Sequence, residues 1–242
     1  AVEDEPGFTA VLGAAAEDPS RVRELIPFLK SAVYLEPGTF GAITQRSLFG
    51  RGIGGSRSIE MNVSGQQLDD VLDVAEAPVI FSHSGAQGLT DHRRNVPDQV
   101  LQRLPENGGV VMVVFYPWHV SEALRTYDGP GDPPWATLFD VADHIEYVRD
   151  TAGIDPVGLG SDYDGMEPDP PPVGLEDVSK YPALLAELSR RGWSEDDLAK
   201  LAGRNVLRAW AEAEDAASRI QEQRGPSNAT IDELDGGSRP PN

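Results

Sequence analysis

The sequence predicts an α/β fold with a parallel sheet. Short apolar runs alternate with amphipathic segments from residue 61 to about 212, every run is apolar throughout, and polar residues cluster where each run ends. A strand that is apolar on both faces is buried on both faces, the condition of a parallel sheet covered by helices.

The elements follow in order. QQLDDVLDVAEA places Leu68, Val71, Leu72 and Ala75 on one helical face. PVIFSHS, opened by Pro78, reads as a buried strand. VPDQVLQRLPENGG reads as a helix with Pro97 in its first turn and glycines past its end. GGVVMVVFYP is the second strand, LFDVADHIEYVRDTAG a helix closed by Gly153, and PVGLGSDYDG a third strand leading into a Pro-rich loop. YPALLAELSRRGWSEDDLAKLAGRNVLRAWAEAE supplies two closing helices, the second with a capping signal at Ser194 and Asp197.

Outside this zone the sequence changes character. Residues 1–60 are mixed, with helical spacing in SRVRELIPFLKSAVYL and a Gly/Ser/Arg-rich stretch, SLFGRGIGGSRS, whose glycines do not match a phosphate-cradling loop. Residues 213–242 are polar and rich in Gly, Pro and Ser, and are expected to form a disordered tail. The 40 acidic and 20 basic side chains give a formal charge of −20, which argues against nucleic-acid binding and against adhesion to anionic lipid. With no cysteine, any metal must be held by His, Asp or Glu, a set suited to zinc. No apolar run is long enough to span a bilayer, and neither a secretory signal nor an apolar C-terminal tail is seen, so a soluble, cytoplasmic protein is expected. The first residues read as those of a fragment.

Sites in parallel α/β folds are built at strand ends, which directs attention to Ser82, His83 and Ser84, to Tyr116, and to Ser161, Asp162 and Asp164. A lone histidine such as His83 is more often structural than a ligand. In TDHRRN, adjacent arginines usually form a solvated face, although a guanidinium can also clamp a carboxylate bidentately. Of Asp162 and Asp164, one is expected to face the site and the other to cap the loop. His119 and His144 read as structural or surface residues.

The runs APVIFSHS, RRNVPDQVL, VVMVVFY, VADHIEYV, VGLGSDYDG, GLEDVSKYPALLAELSRRGW and NVLRAW, in that order, resemble the renal (membrane) dipeptidase family. The resemblance implies part of a (β/α)8 TIM-like barrel, amidohydrolase-like, with a two-zinc site at the C-terminal face that hydrolyses dipeptides. It implies a metal-ligand role for His83, a substrate-carboxylate contact for Arg94, and a catalytic and substrate-binding role beside the scissile bond for Asp162. A homodimer is among the assemblies it implies.

The sequence also departs from that pattern. Asn62, twenty-one residues before His83, stands where the family has a second zinc histidine. No H-x-D pair occurs, and no histidine precedes His83. Half a barrel leaves open sheet edges, so the chain is expected to pair with a copy, to substitute residues 1–60 for the missing strands, or to fold poorly. Three functional readings result: a zinc dipeptidase with further ligands upstream, a silent relative that binds a small carboxylate, and an interaction protein.

Overall fold

The structure, a computed structural model, describes residues 65–166 and 169–225. Asn62, the expectations for residues 1–60 and the last part of the expected tail lie outside the described residues.

Three strands form one parallel sheet in the order β1-β2-β3: β1 Ile80–Phe81, β2 Val110–Val113 and β3 Val157–Leu159. Each strand pairs with its neighbour in sequence, the order a (β/α)8 barrel uses throughout. Helix α1 (Gly65–Val74) precedes β1, α2 (Asp98–Asn107) joins β1 to β2, and the short α3 (Pro117–Val120) and α4 (Glu122–Arg125) with α5 (Leu138–Ala152) join β2 to β3. Two 3-10 turns, Tyr163–Gly165 and Val178–Lys180, lead to α6 (Tyr181–Arg190), α7 (Glu195–Ala199) and α8 (Asn205–Gln223). The parallel α/β fold expected from the uniformly apolar runs is the one observed. Val110, Val111, Val113, Val114 and Phe115 have no solvent exposure. Among the described residues, no helix is long and apolar enough to cross a membrane.

Local chemistry explains the element ends. Pro97 is not in the first turn of α2 but caps it from outside, in extended geometry. Gly108, at φ 76°, ends α2 in the left-handed region where glycine carries no Cβ penalty. Thr137 with Asp140 and Ser194 with Asp197 form capping boxes on α5 and α7, the second of which the sequence announced. The last expected helix is interrupted: Lys200–Arg204 forms a π-type turn in which Gly203 leaves helical geometry.

The tail expected from residue 213 does not begin there. Helix α8 continues to Gln223, with Ala209 and Ala216 buried, two small apolar contacts seven residues apart on one face. A face whose only buried apolar residues are two alanines gives little apolar signal against a polar background.

Asn205 fastens α8 to the sheet. Its side chain is buried, and Nδ2 donates to the carbonyls of Ile154 at 2.7 Å and Val157 at 2.8 Å. Asn205→Ala removes the donor from both carbonyls, so a loss of about 1–3 kcal/mol is expected in urea denaturation with little change in m-value. A change below about 0.5 kcal/mol, the range of ordinary surface substitutions, would show that water serves these carbonyls equally well.

Candidate functional site

The site is built on backbone that continues the sheet past its strands. Ser84 N donates to Met112 O and Val114 N to Ser84 O, while Gly160 N donates to Val113 O and Phe115 N to Ser161 O. The residues after all three strands therefore stay in register and emerge along one edge. That edge carries His83, Tyr116 and Asp162.

The segment after β1 folds back on itself before entering α2. Val96 N donates to Gly85 O at 2.8 Å and Gln87 N to Val96 O at 2.9 Å, a parallel bridge between Ala86 and Val96. The enclosed loop is held from inside by Asn95, which is buried. Its Oδ1 accepts from Gly85 N at 2.8 Å, and its Nδ2 donates to Thr90 O at 2.9 Å and His119 O at 2.8 Å. One side chain thus ties the β1 loop to the segment after β2. Asn95 N donates to His92 O at 2.9 Å and closes a turn with Arg93 and Arg94 at its two central positions.

This arrangement brings Arg94 onto His83, with Nη2 2.5 Å from Nε2. A guanidinium has no acceptor, so Nε2 must accept, and the ring proton then lies on Nδ1, facing Ser82 Oγ at 2.7 Å. Both ring nitrogens of His83 have partners within the chain.

Beside this pair lies an aromatic cluster. The His92 and His119 rings stack at 4.1 Å, and Tyr116 meets His119 edge-on at 4.9 Å. His119 is not on the surface: it is 3% exposed, and its Nδ1 is buried without a hydrogen-bond partner among the described residues. Burial, helped by the charges of His92 and Arg94, lowers the His119 pKa to about 3. His92 is also held below its ordinary value, first by burial and then by Arg93, Arg94 and Arg125. Tyr116 donates its hydroxyl to Asp169 at 2.8 Å, and Trp118 Nε1 donates to the same oxygen at 3.2 Å. Burial and then this bond push the Tyr116 phenol up to about 12, so it remains protonated as a donor. His144 lies behind the loop as a structural residue: Nδ1 accepts from Ala86 N at 2.9 Å, Nε2 is 3.2 Å from Thr90 Oγ1, and burial lowers its pKa to about 4.

Asp162 follows β3, whose end closes on the end of β1: Gly160 lies so near the Ser82 carbonyl that a Cβ on it would overlap the oxygen. Asp162 is also the only described non-glycine residue with positive φ, at 59°. Its carbonyl accepts from Gly165 N at 2.9 Å, holding the turn after the strand. A left-handed non-glycine residue is disfavoured by about 1–2 kcal/mol, and such strain persists where the surroundings over-determine it. Asp164 is exposed at the tip of the same turn.

Among the described residues, no group of three or more His, Asp or Glu side chains could hold a metal ion. His83 presents no unpartnered nitrogen, and Asn62 is not among these residues. The described residues alone do not fit the zinc centre that the sequence led us to expect.

A family model for membrane dipeptidases (peptidase family M19) matches residues 61–224. The chain belongs to that family. The chain of this membrane dipeptidase relative is 47% identical over 158 residues to dipeptidase tcpJ of Claviceps purpurea, covering 65% of this chain and 34% of that protein. It is likewise 47% identical over 158 residues to an uncharacterized dipeptidase of Schizosaccharomyces pombe, of which it covers 36%. It therefore spans about a third of the length of these curated relatives. Among solved structures, the fold resembles the probable dipeptidase PvdM of Pseudomonas aeruginosa at TM-score 0.55 and 31% identity, covering 63% of this chain and 49% of that one. It also resembles a Rhodobacter sphaeroides metallo peptidase liganded with a phosphinate mimic of the dipeptide L-Ala-D-Ala, at TM-score 0.53 and 31% identity, covering 61% and 39%.

Of the residues singled out by sequence, the structure brings His83 and Arg94 into contact and places Asp162 on the same edge. Sequence reasoning singled out His92 and Asn95 within TDHRRN but gave them no role, missed Trp118 and Asp169 as parts of this edge, and assigned His119 no place in it. The partners of Asn95 and Asp169 are up to 24 and 53 residues away, and no local pattern announces them.

His119 and His144 also set a pH dependence. Both are neutral in the fold, so their stabilisation is fully present above the unfolded value of 6.5. It is lost as pH falls from there toward about 4 for His144 and about 3 for His119. Lowering the pH to 5.0 is expected to remove about 2 kcal/mol through His119 alone. Urea denaturation at pH 7.5 and 5.0 should show a correspondingly weaker dependence in His119→Phe. Equal dependence in the two proteins would mean that His119 is protonated in the fold.

Proposed function

We propose that this chain carries the substrate-carboxylate side of a dipeptidase active site, with Arg94 holding the C-terminal carboxylate of a dipeptide. The observation that carries the proposal is the turn at His92–Asn95, which presents an exposed guanidinium beside His83 and has no carboxylate paired to it among the described residues. A planar guanidinium offers parallel donors that match a carboxylate bidentately. The family supports peptide hydrolysis as the reaction.

In that reaction water adds across the amide: oxygen bonds to the carbonyl carbon, the C–N bond breaks, and one water proton ends on the departing amine. Asp162, on the same edge, is the carboxylate proposed to take that proton and pass it on. The buried His119 and the half-buried Tyr116 pack together beside the turn that carries Arg94 and give the proposed carboxylate pocket a fixed wall. Zinc, which the family implies, would be held by His83 only if that ring released Arg94 or Ser82, and would need further ligands from outside the described residues.

A second reading, a silent relative that binds a small carboxylate, is favoured by one observation: Arg94 and Ser82 occupy both nitrogens of His83. Metal analysis of the purified chain separates the two. Bound zinc with dipeptide hydrolysis supports the enzyme; dipeptide binding without zinc supports the silent relative.

For the enzyme, Arg94→Gln is expected to raise KM about 10- to 100-fold through loss of a charged hydrogen-bond pair. Asp162→Asn is expected to lower kcat about 10²- to 10⁴-fold through loss of proton transfer. Steady-state hydrolysis of a simple dipeptide measures both. Unchanged kinetics in both variants would place the site elsewhere.

A further inference from the structure

We propose that Arg93 is a specificity residue that reads an acidic side chain, so that the site prefers dipeptides ending in Asp or Glu. This rests on the reading that Arg94 holds the C-terminal carboxylate.

Arg93 and Arg94 occupy the two central positions of one turn, closed by the bond from Asn95 N to His92 O at 2.9 Å. Both are exposed. The turn is not a free loop, because its base is the buried Asn95 with three side-chain hydrogen bonds and its first residue stacks on the buried His119. The protein carries twice as many acidic as basic side chains. Arg103, Arg125, Arg149, Arg191 and Arg208 are all ion-paired. Among the described residues, Arg93 and Arg94 have no carboxylate within ion-pair distance. The acids nearest in sequence are otherwise engaged: Asp91 accepts from Gln87 and Asp98 from the Tyr147 hydroxyl, while Glu122, which accepts from the amide of Asp91, is held by Arg125. Two arginines without a carboxylate partner among the described residues therefore occupy neighbouring positions on an anchored turn of a strongly acidic protein, an arrangement suited to a ligand with more than one negative charge.

Arg94 reaches His83, whereas the exposed Arg93 side chain makes no hydrogen bond or ion pair among the described residues. Arg94 is thus the inner cation and Arg93 the rim cation. Their Cα atoms are about 3.8 Å apart. Two long side chains from neighbouring positions can straddle the two carboxylates of a C-terminal Asp or Glu, which are joined by only a few carbons. The α-carboxylate takes the inner guanidinium and the side chain the rim one.

The test compares glycyl-glutamate with glycyl-glutamine, which differ in side-chain charge and little in shape. Binding to the full chain is measured by titration calorimetry in the presence of a chelator, so that nothing is hydrolysed. The wild type is expected to bind glycyl-glutamate about three- to fivefold more tightly at low salt, the scale of an exposed ion pair. That preference should shrink in about 0.5 M NaCl. Arg93→Gln should abolish it while leaving glycyl-glutamine binding unchanged, and Arg94→Gln should weaken both ligands. A wild type without preference, or a preference that survives in Arg93→Gln, overturns the role of Arg93 while weakened binding in Arg94→Gln leaves the carboxylate reading standing. If Arg94→Gln binds both dipeptides as the wild type does, or the wild type binds neither, the carboxylate reading falls and this inference falls with it.

Discussion

A single buried amide holds the site together. Asn95 accepts from the backbone of Gly85 and donates to the carbonyls of Thr90 and His119, so one side chain satisfies three backbone groups in two segments. Each such bond contributes about 1 kcal/mol net, but removing the amide leaves all three groups buried and unpaired, which costs considerably more. The position of Arg94 follows from it, because the turn that presents the guanidinium is closed by the amide of that same residue. So does the position of His119, whose carbonyl is the third partner and whose ring supports His92.

The parallel sheet supplies the second constraint. Because all three strands run the same way and stay in register past their ends, residues far apart in sequence emerge on one edge. His83 comes from β1, Tyr116 from β2 and Asp162 from β3. Tyr116 and Trp118 both reach Asp169, which fastens the chain beyond Asp162 across the end of β2. On that edge of a protein of net charge −20, Arg93 and Arg94 have no carboxylate partner among the described residues, which leaves two local cations to attract an anionic ligand.

Much of this was legible in the sequence, and the division has a physical basis. Uniform apolar runs, the capping signal at Ser194 and Asp197, and the glycines that close α2 and α5 are local signals, and each produced the expected element. The kink at Gly203 and the extension of α8 past residue 213 were not read, because one glycine in a helical pattern is ambiguous and a face of buried alanines resembles solvated chain. At the site, His83 and Arg94 lie close enough in sequence for a familiar pattern to pair them. Asn95 reads locally as an ordinary turn residue, His119 as a loop histidine, and Asp169 as one polar residue among prolines. Their roles come from contacts between separate βα units, which only the fold creates.

The most direct measurement is amide hydrogen exchange at Gly85 and Val96, whose N–H groups donate to Asn95 Oδ1 and to Gly85 O. If Asn95 holds the site as described, both amides exchange in the wild type as slowly as the core strand amide of Val111. In Asn95→Ala they should exchange at least about tenfold faster, through local opening that leaves the protection of Val111 largely intact. Exchange of Gly85 and Val96 in the wild type at the rate of exposed loop amides would contradict the account, because the turn carrying Arg94 would then have no fixed place beside His83.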